Sequence, residues 1–280
     1  MRAYLDESGI HEGAEICAIS GYFGDQTAWE NLEAKWGDIL REFGVPEFHA
    51  NIFWARRDKG GDRVKPYAGW DDPKADLFLD RLLATIKDCS IYPVGAAVVG
   101  KEWGILSSNE RRYLTGGEVR KGKIKGGCPS KSYFLPFLQA VQRVARYCGN
   151  DEKVDFFFGL NTTFGGYALN YYKDIINRSY DWGLCLSAIA FPRSVCTKPL
   201  QPSDLLSYQV YQYVLRRLTD WDYEVESCPT LAAALTRVKS SDDDFKLYDK
   251  MSLDAALQPL RKGYPELCRA FEVPSCATNQ

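Results

Sequence analysis

An apolar run ends in two adjacent acids at Tyr4-Leu5-Asp6-Glu7-Ser8-Gly9. Side chains along a strand alternate, so a strand through these residues sends one carboxylate to each face of its sheet. Asp6 is the candidate to face whatever covers the end of that strand. A second acid lies in Pro199-Leu200-Gln201-Pro202-Ser203-Asp204-Leu205-Leu206-Ser207-Tyr208, where Pro202 suits the first turn of a helix. The positive end of the helix dipole would by itself favour an Asp there. Leu205, Leu206 and Val210 nevertheless mark the core-facing side, which leaves Asp204 beside a buried face and makes it a candidate metal ligand. Glu47-Phe48-His49-Ala50 adds one histidine at the end of an element. Such a histidine is ordinarily a hydrogen-bonded structural residue, and it acquires chemical meaning only if it lies near Asp6.

Charge is concentrated in one place. Residues 111–131 hold seven basic side chains (Arg111, Arg112, Arg120, Lys121, Lys123, Lys125, Lys131) and a single acid, Glu118, a net +6 that leaves −8 for the remainder of a chain whose total is −2. Glycines at 116, 117, 122, 126 and 127 lend this segment flexibility, and Arg120, Lys121, Lys123 and Lys125 are suited to contact a nucleic-acid backbone. It contains no G-x-x-x-x-G-K-[ST] phosphate loop. The alternative is a solvated mobile loop.

Positioning these groups falls to a series of short elements. Residues 2–6 and 14–22 read as two strands joined by a turn at His11-Glu12-Gly13. Trp29, Leu32, Trp36, Ile39 and Leu40 recur at helical spacing, which predicts a helix over 27–43 with Thr27 near its cap and Gly44 at its end. Residues 47–72 are irregular, aromatic and basic, a loop of functional length whose Phe53, Trp54, Tyr67 and Trp70 offer rings for stacking on bases. The pattern then alternates: helix at 73–87, strand at 90–99, helix at 130–147, strand at 153–158, helix at 166–178, strand at 184–191, helix at 202–218. Strands alternating with helices after an opening hairpin imply an α/β layer structure with a mixed sheet. Beyond that, helical stretches at 231–239 and 245–257 flank the acidic turn Asp242-Asp243-Asp244.

With 280 residues, 45% of them hydrophobic and 26% charged, the chain has enough apolar surface to fold and is not disordered as a whole. Its longest nearly apolar run, 91–100, is interrupted by Pro93 and is far shorter than the roughly 20 residues of a membrane-spanning helix. No secretory leader opens the sequence, so a cytoplasmic protein without a membrane partner is expected. The nine scattered cysteines form no C-x-x-C pair and are expected to be reduced, which disfavours structural zinc.

Asp-Glu-Ser-Gly near the start, Glu-Phe-His-Ala near residue 48 and Leu-Gln-x-x-Asp-Leu-Leu-x-Tyr opening a late helix together resemble the domain-of-unknown-function 3800 family, a group regarded as ribonuclease H-like. The resemblance spans residues 1–220 and leaves 221–280 as a C-terminal helical extension, a place where a protein partner could dock. It implies a five-stranded mixed sheet, three antiparallel strands first, flanked by helices. It further implies a phosphodiesterase that acts on DNA or RNA with Mg²⁺ or Mn²⁺ held by carboxylates of the first strand, the fourth strand and the last helix. By position Asp6 and Asp204 are the first and last of these. Glu7 or Glu47 would support the site, and His49 would shuttle protons or orient the scissile phosphate. At the end of the fourth strand Gly159-Leu160-Asn161 stands where the family carries an acid, so Asn161 is the remaining candidate ligand through its carbonyl oxygen. A site with one ion, or a catalytically degenerate relative that binds nucleic acid or a protein, is the corresponding alternative.

Overall fold

The computed structural model describes every residue except 12, 56, 150–151, 161–163, 179, 194–196, 236–244 and 269–280. Its centre is a mixed sheet of six strands. β1 (Arg2–Ser8), β2 (Ile16–Gly24) and β3 (Tyr92–Val99) run antiparallel in sequence; β6 (Val154–Phe158) lies parallel to β1, and β7 (Leu186–Ala190) parallel to β6. β8 (Phe245–Tyr248) adds itself parallel to β3, which gives the order β7-β6-β1-β2-β3-β8. The expectation of five strands with a purely helical C-terminal addition is thereby corrected. Phe245 to Tyr248 belong to the sheet because Asp249 caps the following helix, its carboxylate accepting from Ser252 N, so the helix starts at Lys250.

Two helical layers cover the sheet, and the alternation along β1 assigns its side chains to them. Ala3 and Leu5 enter the core built with α6 (Phe134–Cys148) and α7 (Gly165–Asn177), joined by α10 (Lys250–Gly263). Tyr4 enters the other core, with α1 (Gln26–Phe43), α3 (Asp72–Asp88) and α8 (Leu200–Arg217). Asp6 is in phase with Tyr4 and faces α8; Glu7 is in phase with Leu5 and faces α6. The cap of α1 is Asp25, which accepts from Ala28 N, two residues earlier than Thr27. Gly44 does close that helix in the left-handed conformation expected of it, φ +69°.

The irregular stretch after residue 47 contains one short helix, α2 (Ala50–Trp54). The basic segment is more ordered than its glycines suggested. After α4 (Gly100–Gly104) and α5 (Ser108–Leu114), β4 (Glu118–Arg120) and β5 (Lys123–Lys125) pair as a hairpin. Its two turn residues, Lys121 and Gly122, have φ of +51° and +70°, the signature of a type I′ turn whose twist matches the strands it joins. α9 (Pro229–Ala234) follows α8. No described helix is long and apolar enough to cross a membrane, and the seven described cysteines are free.

α8 is fastened to β1 by hydroxyls rather than by apolar packing alone. Ser203 Oγ donates to Tyr4 O at 2.8 Å, and Ser207 Oγ donates to Asp6 O at 2.7 Å while lying 2.9 Å from Ser20 Oγ. All three serines are buried. Four helical residues advance about 6.0 Å and two strand residues about 6.6–6.8 Å, so serines spaced i, i+4 meet carbonyls spaced i, i+2 when the helix runs along the strand. Removing one hydroxyl leaves a buried partner unsatisfied. Ser207→Ala is expected to lower unfolding free energy by about 1–3 kcal/mol, read as a lower urea midpoint at unchanged slope.

Candidate functional site

Asp6, His49, Gly159, Leu160, Arg193 and Asp204 line one pocket of about 330 Å³. It opens at the carboxyl ends of the adjacent parallel strands β1, β6 and β7, which supply Asp6, Gly159 and, just beyond β7, Arg193. Ligands of open α/β sheets characteristically bind at this edge. The two acids predicted to meet from opposite ends of the chain do so.

Asp204 reaches the pocket from the second turn of α8, because the helix starts at Leu200 rather than at Pro202. The dipole account of this residue is therefore corrected: the first turn holds no acid, and the carboxylate does not cap its own helix. Its Oδ2 accepts instead from Ala50 N at 2.9 Å. Phe48 N donates to Gln201 Oε1 at 2.9 Å, and Trp36 Nε1 donates to the same oxygen. Gln201 and Asp204 thus grip the backbone on either side of His49.

The imidazole lies between two acids, with Nε2 2.9 Å from Glu47 Oε1 and Nδ1 3.7 Å from Asp204 Oδ2. Asp204 and then Glu47 raise its proton affinity against the opposing effect of partial burial. At 3.7 Å the Asp204 contact is electrostatic; the shorter contact to Glu47 is the bond that orients the ring. Glu47 does not line the pocket, and its buried Oε2 has no hydrogen-bond partner.

Asp6 is held well above the ordinary carboxylate range, first by burial and then by the charges of Glu7 and Asp204, with Glu7 N donating to its Oδ1 at 3.0 Å as the one opposing contribution. Gly159 leaves room for it, since a Cβ there would overlap Asp6 Oδ1 and the carboxyl would have to shift. Two like charges brought together in a pocket are what a divalent cation relieves. Among the described residues no group of three or more His, Cys, Asp or Glu side chains forms a metal cage. Two carboxylates with the remaining positions left to water and phosphate oxygens are nevertheless the usual protein share of a Mg²⁺ shell, so Asp6 and Asp204 fit a single hard cation.

The other candidates fall elsewhere. Glu7 projects to the α6 side, where its charge acts on Cys17 and Tyr133. Asn161 lies outside the described residues. Arg120 is paired with Glu118 at 2.7 Å, and the exposed Lys121, Lys123 and Lys125 sit on the hairpin; none of the four lines the acid pocket. Of the rings offered for stacking, Phe53 and Tyr67 are buried, and Trp54 is stacked on Tyr208 at 5.2 Å and 7°. Trp70 carries Lys74 over its ring at 4.7 Å. The loop closes part of the core because large rings supply the most apolar area for burial. Trp221 and Met251, 65% and 76% exposed, line a groove of about 710 Å³.

Arg193 carries no local motif that singles it out in the sequence. A usable signal exists nonetheless, since Phe191-Pro192-Arg193 follows the last of the three parallel neighbours and the carboxyl ends of such strands gather ligands. Comparison with family models, with curated proteins and with solved structures returns no match to this chain.

Because folding raises the proton affinity of Asp6, the native state gains from that proton only at low pH and loses the gain as pH rises and the carboxyl ionises. Metal-free Asp6→Asn is thus expected to melt above wild type at pH 7, by about 2–4 °C per kcal/mol relieved. The difference should vanish towards pH 4, near the ordinary Asp value of about 3.9. Calorimetry between pH 4 and 8 checks it; a lower melting temperature for Asp6→Asn at pH 7 contradicts an uncompensated carboxylate.

Proposed function

We propose that the protein is a metal-dependent phosphodiesterase of ribonuclease H-like architecture that acts on nucleic acid, with the resemblance to the domain-of-unknown-function 3800 family as part of that reading. The observation that carries it is the convergence of Asp6 from β1 and Asp204 from α8 in one pocket. The strand order β3-β2-β1-β6-β7, antiparallel for the first three and parallel thereafter, supports the architecture, with β8 as an addition at the edge.

Asp6 and Asp204 would hold one Mg²⁺ or Mn²⁺. Such an ion, when bound, supplies Lewis-acid polarisation of a phosphoryl oxygen and lowers the pKa of a coordinated water. Arg193 lines the same pocket and makes no ion pair among the described residues, so its fork is free to take two non-bridging oxygens of a phosphodiester. Asp204 and Glu47 raise the proton affinity of His49. With Nε2 engaged by Glu47, the proton at Nδ1 is the one available to a leaving oxygen, a general-acid role.

The test is hydrolysis of labelled single- and double-stranded DNA and RNA by the full chain with and without Mg²⁺ or Mn²⁺. Either ion should raise the melting temperature and permit cleavage. Asp204→Asn should abolish both effects, and His49→Gln should slow cleavage by about 10²–10⁴-fold while leaving the thermal response to metal. No thermal shift and no cleavage with either ion would refute the reading. Strand binding without cleavage would instead establish the degenerate alternative, which Gly159 in the place of an acid favours.

The hairpin lysines make a separate expectation about affinity. If Lys121, Lys123 and Lys125 meet the backbone of the strand, replacing all three with Ala lowers the slope of log K against log salt by about 0.7–0.9 for each phosphate those lysines neutralise. Fluorescence anisotropy at a series of salt concentrations measures that slope.

A further inference from the structure

On the α6 side of β1, across the sheet from Asp6, a second pocket of about 720 Å³ lies between the β1–β2 loop and the residues leading into α6. Its size is that of a small-molecule site. Among its described lining residues Lys101 and Lys131 are the two lysines and Glu15 the acid, and the charge of Glu7 reaches Tyr133 and Cys17 from β1, so an anionic group would be met at the two ammonium groups. Lys131 is the last cation of the basic segment, and among the described pockets this is the one that segment enters.

His11 and Ser132 add polar groups to the lining, and one wall is aromatic and apolar. Phe164 lies parallel to Tyr133, centroids 4.7 Å apart at 10°, and both line the pocket together with Ile10 and Cys17. Tyr133 is 1% exposed, yet its hydroxyl has no hydrogen-bond partner. A buried hydroxyl left in that state is costly unless a ligand completes it.

We propose that this pocket holds one nucleotide of the substrate strand, its phosphate at Lys101 and Lys131, its base against the apolar wall and the Tyr133 hydroxyl bonded to it. The ligand being a nucleotide of a cleaved strand rests on the phosphodiesterase reading; the pocket itself does not. A strand seated here would cross the carboxyl end of β1, where Asp6 and Glu7 point to opposite faces, and so pass from this pocket to the acid pocket.

The probe is adenosine monophosphate, titrated calorimetrically into the full chain in EDTA, with inorganic phosphate and adenosine as comparisons. The nucleotide should bind about tenfold or more tightly than either fragment, and Lys101→Ala with Lys131→Ala should weaken it by about tenfold or more. Tyr133→Phe should weaken it by about three- to tenfold while leaving the melting temperature unchanged or higher, since it deletes an unpartnered group. Equal binding of phosphate and nucleotide, indifference to the two lysines, or a Tyr133→Phe protein that melts lower but binds as wild type would each overturn the proposal. Nucleotide binding that depends on the lysines in a protein that cleaves nothing upholds this pocket and removes the phosphodiesterase. Cleavage by a protein whose nucleotide affinity ignores the lysines removes this pocket alone.

Discussion

The attachment of α8 to β1 sets the distance on which the rest of the site depends. Hydrophobic contact between a helix and a sheet is non-directional and tolerates sliding. Ser203 and Ser207 remove that freedom, because each places a hydroxyl on a particular carbonyl of β1. One of those carbonyls belongs to Asp6 itself. The carboxylate of Asp204, one residue beyond Ser203, is therefore fixed relative to Asp6 by bonds to the same strand, and the repulsion between the two acids cannot be relieved by drift of the helix. Close approach is possible because β2 contributes Gly21, where a Cβ would overlap the Tyr4 carbonyl and lie 2.8 Å from Ser203 Oγ.

A second constraint is the two-residue period of β1. Asp6 and Glu7 are neighbours in sequence, yet alternation assigns them to different layers, Asp6 to the face of α8 and Glu7 to the face of Tyr133 and Cys17. The strand end is thus a divide with a pocket on each side, one holding Asp6 and Asp204 and the other lined by Lys101 and Lys131 together with Glu15. Within a chain of net charge −2, the fold thus places cationic and anionic groups on opposite faces of one strand end.

Much of this is legible in the sequence, and the failures have physical causes. Asp6 and Asp204 are visible as acids placed beside apolar stretches, although a solvated turn or the helix dipole would also account for them, and helical spacing makes α1 and α8 readable to within a few residues. The start of α8 is misplaced by sequence patterns because Pro202 suits a first turn, whereas Leu200 and Gln201 precede it in the helix, where a proline still fits without a lost intrahelical bond. Phe245 to Tyr248 look helical because they run into a true helix, and only the capping role of Asp249 separates the two. The hairpin at Lys121-Gly122 is hidden when glycines are counted as flexibility, since Gly122 is there to supply a positive φ. Arg193 is out of reach of local patterns, since its place follows from which strands are parallel neighbours.

Gly159 decides how much charge the site can carry. The end of β6 lies against Asp6, Gly159 N donates to Leu5 O at 3.0 Å, and the space a side chain would need is taken by the Asp6 carboxylate. A side chain at 159 would therefore push the Asp6 carboxyl out of the position it holds. What stands in the pocket is a pair of carboxylates together with Arg193. Gly159 and Arg193 thus reach the pocket from the ends of neighbouring parallel strands, one leaving room for the Asp6 carboxylate and the other bringing a guanidinium to the same pocket.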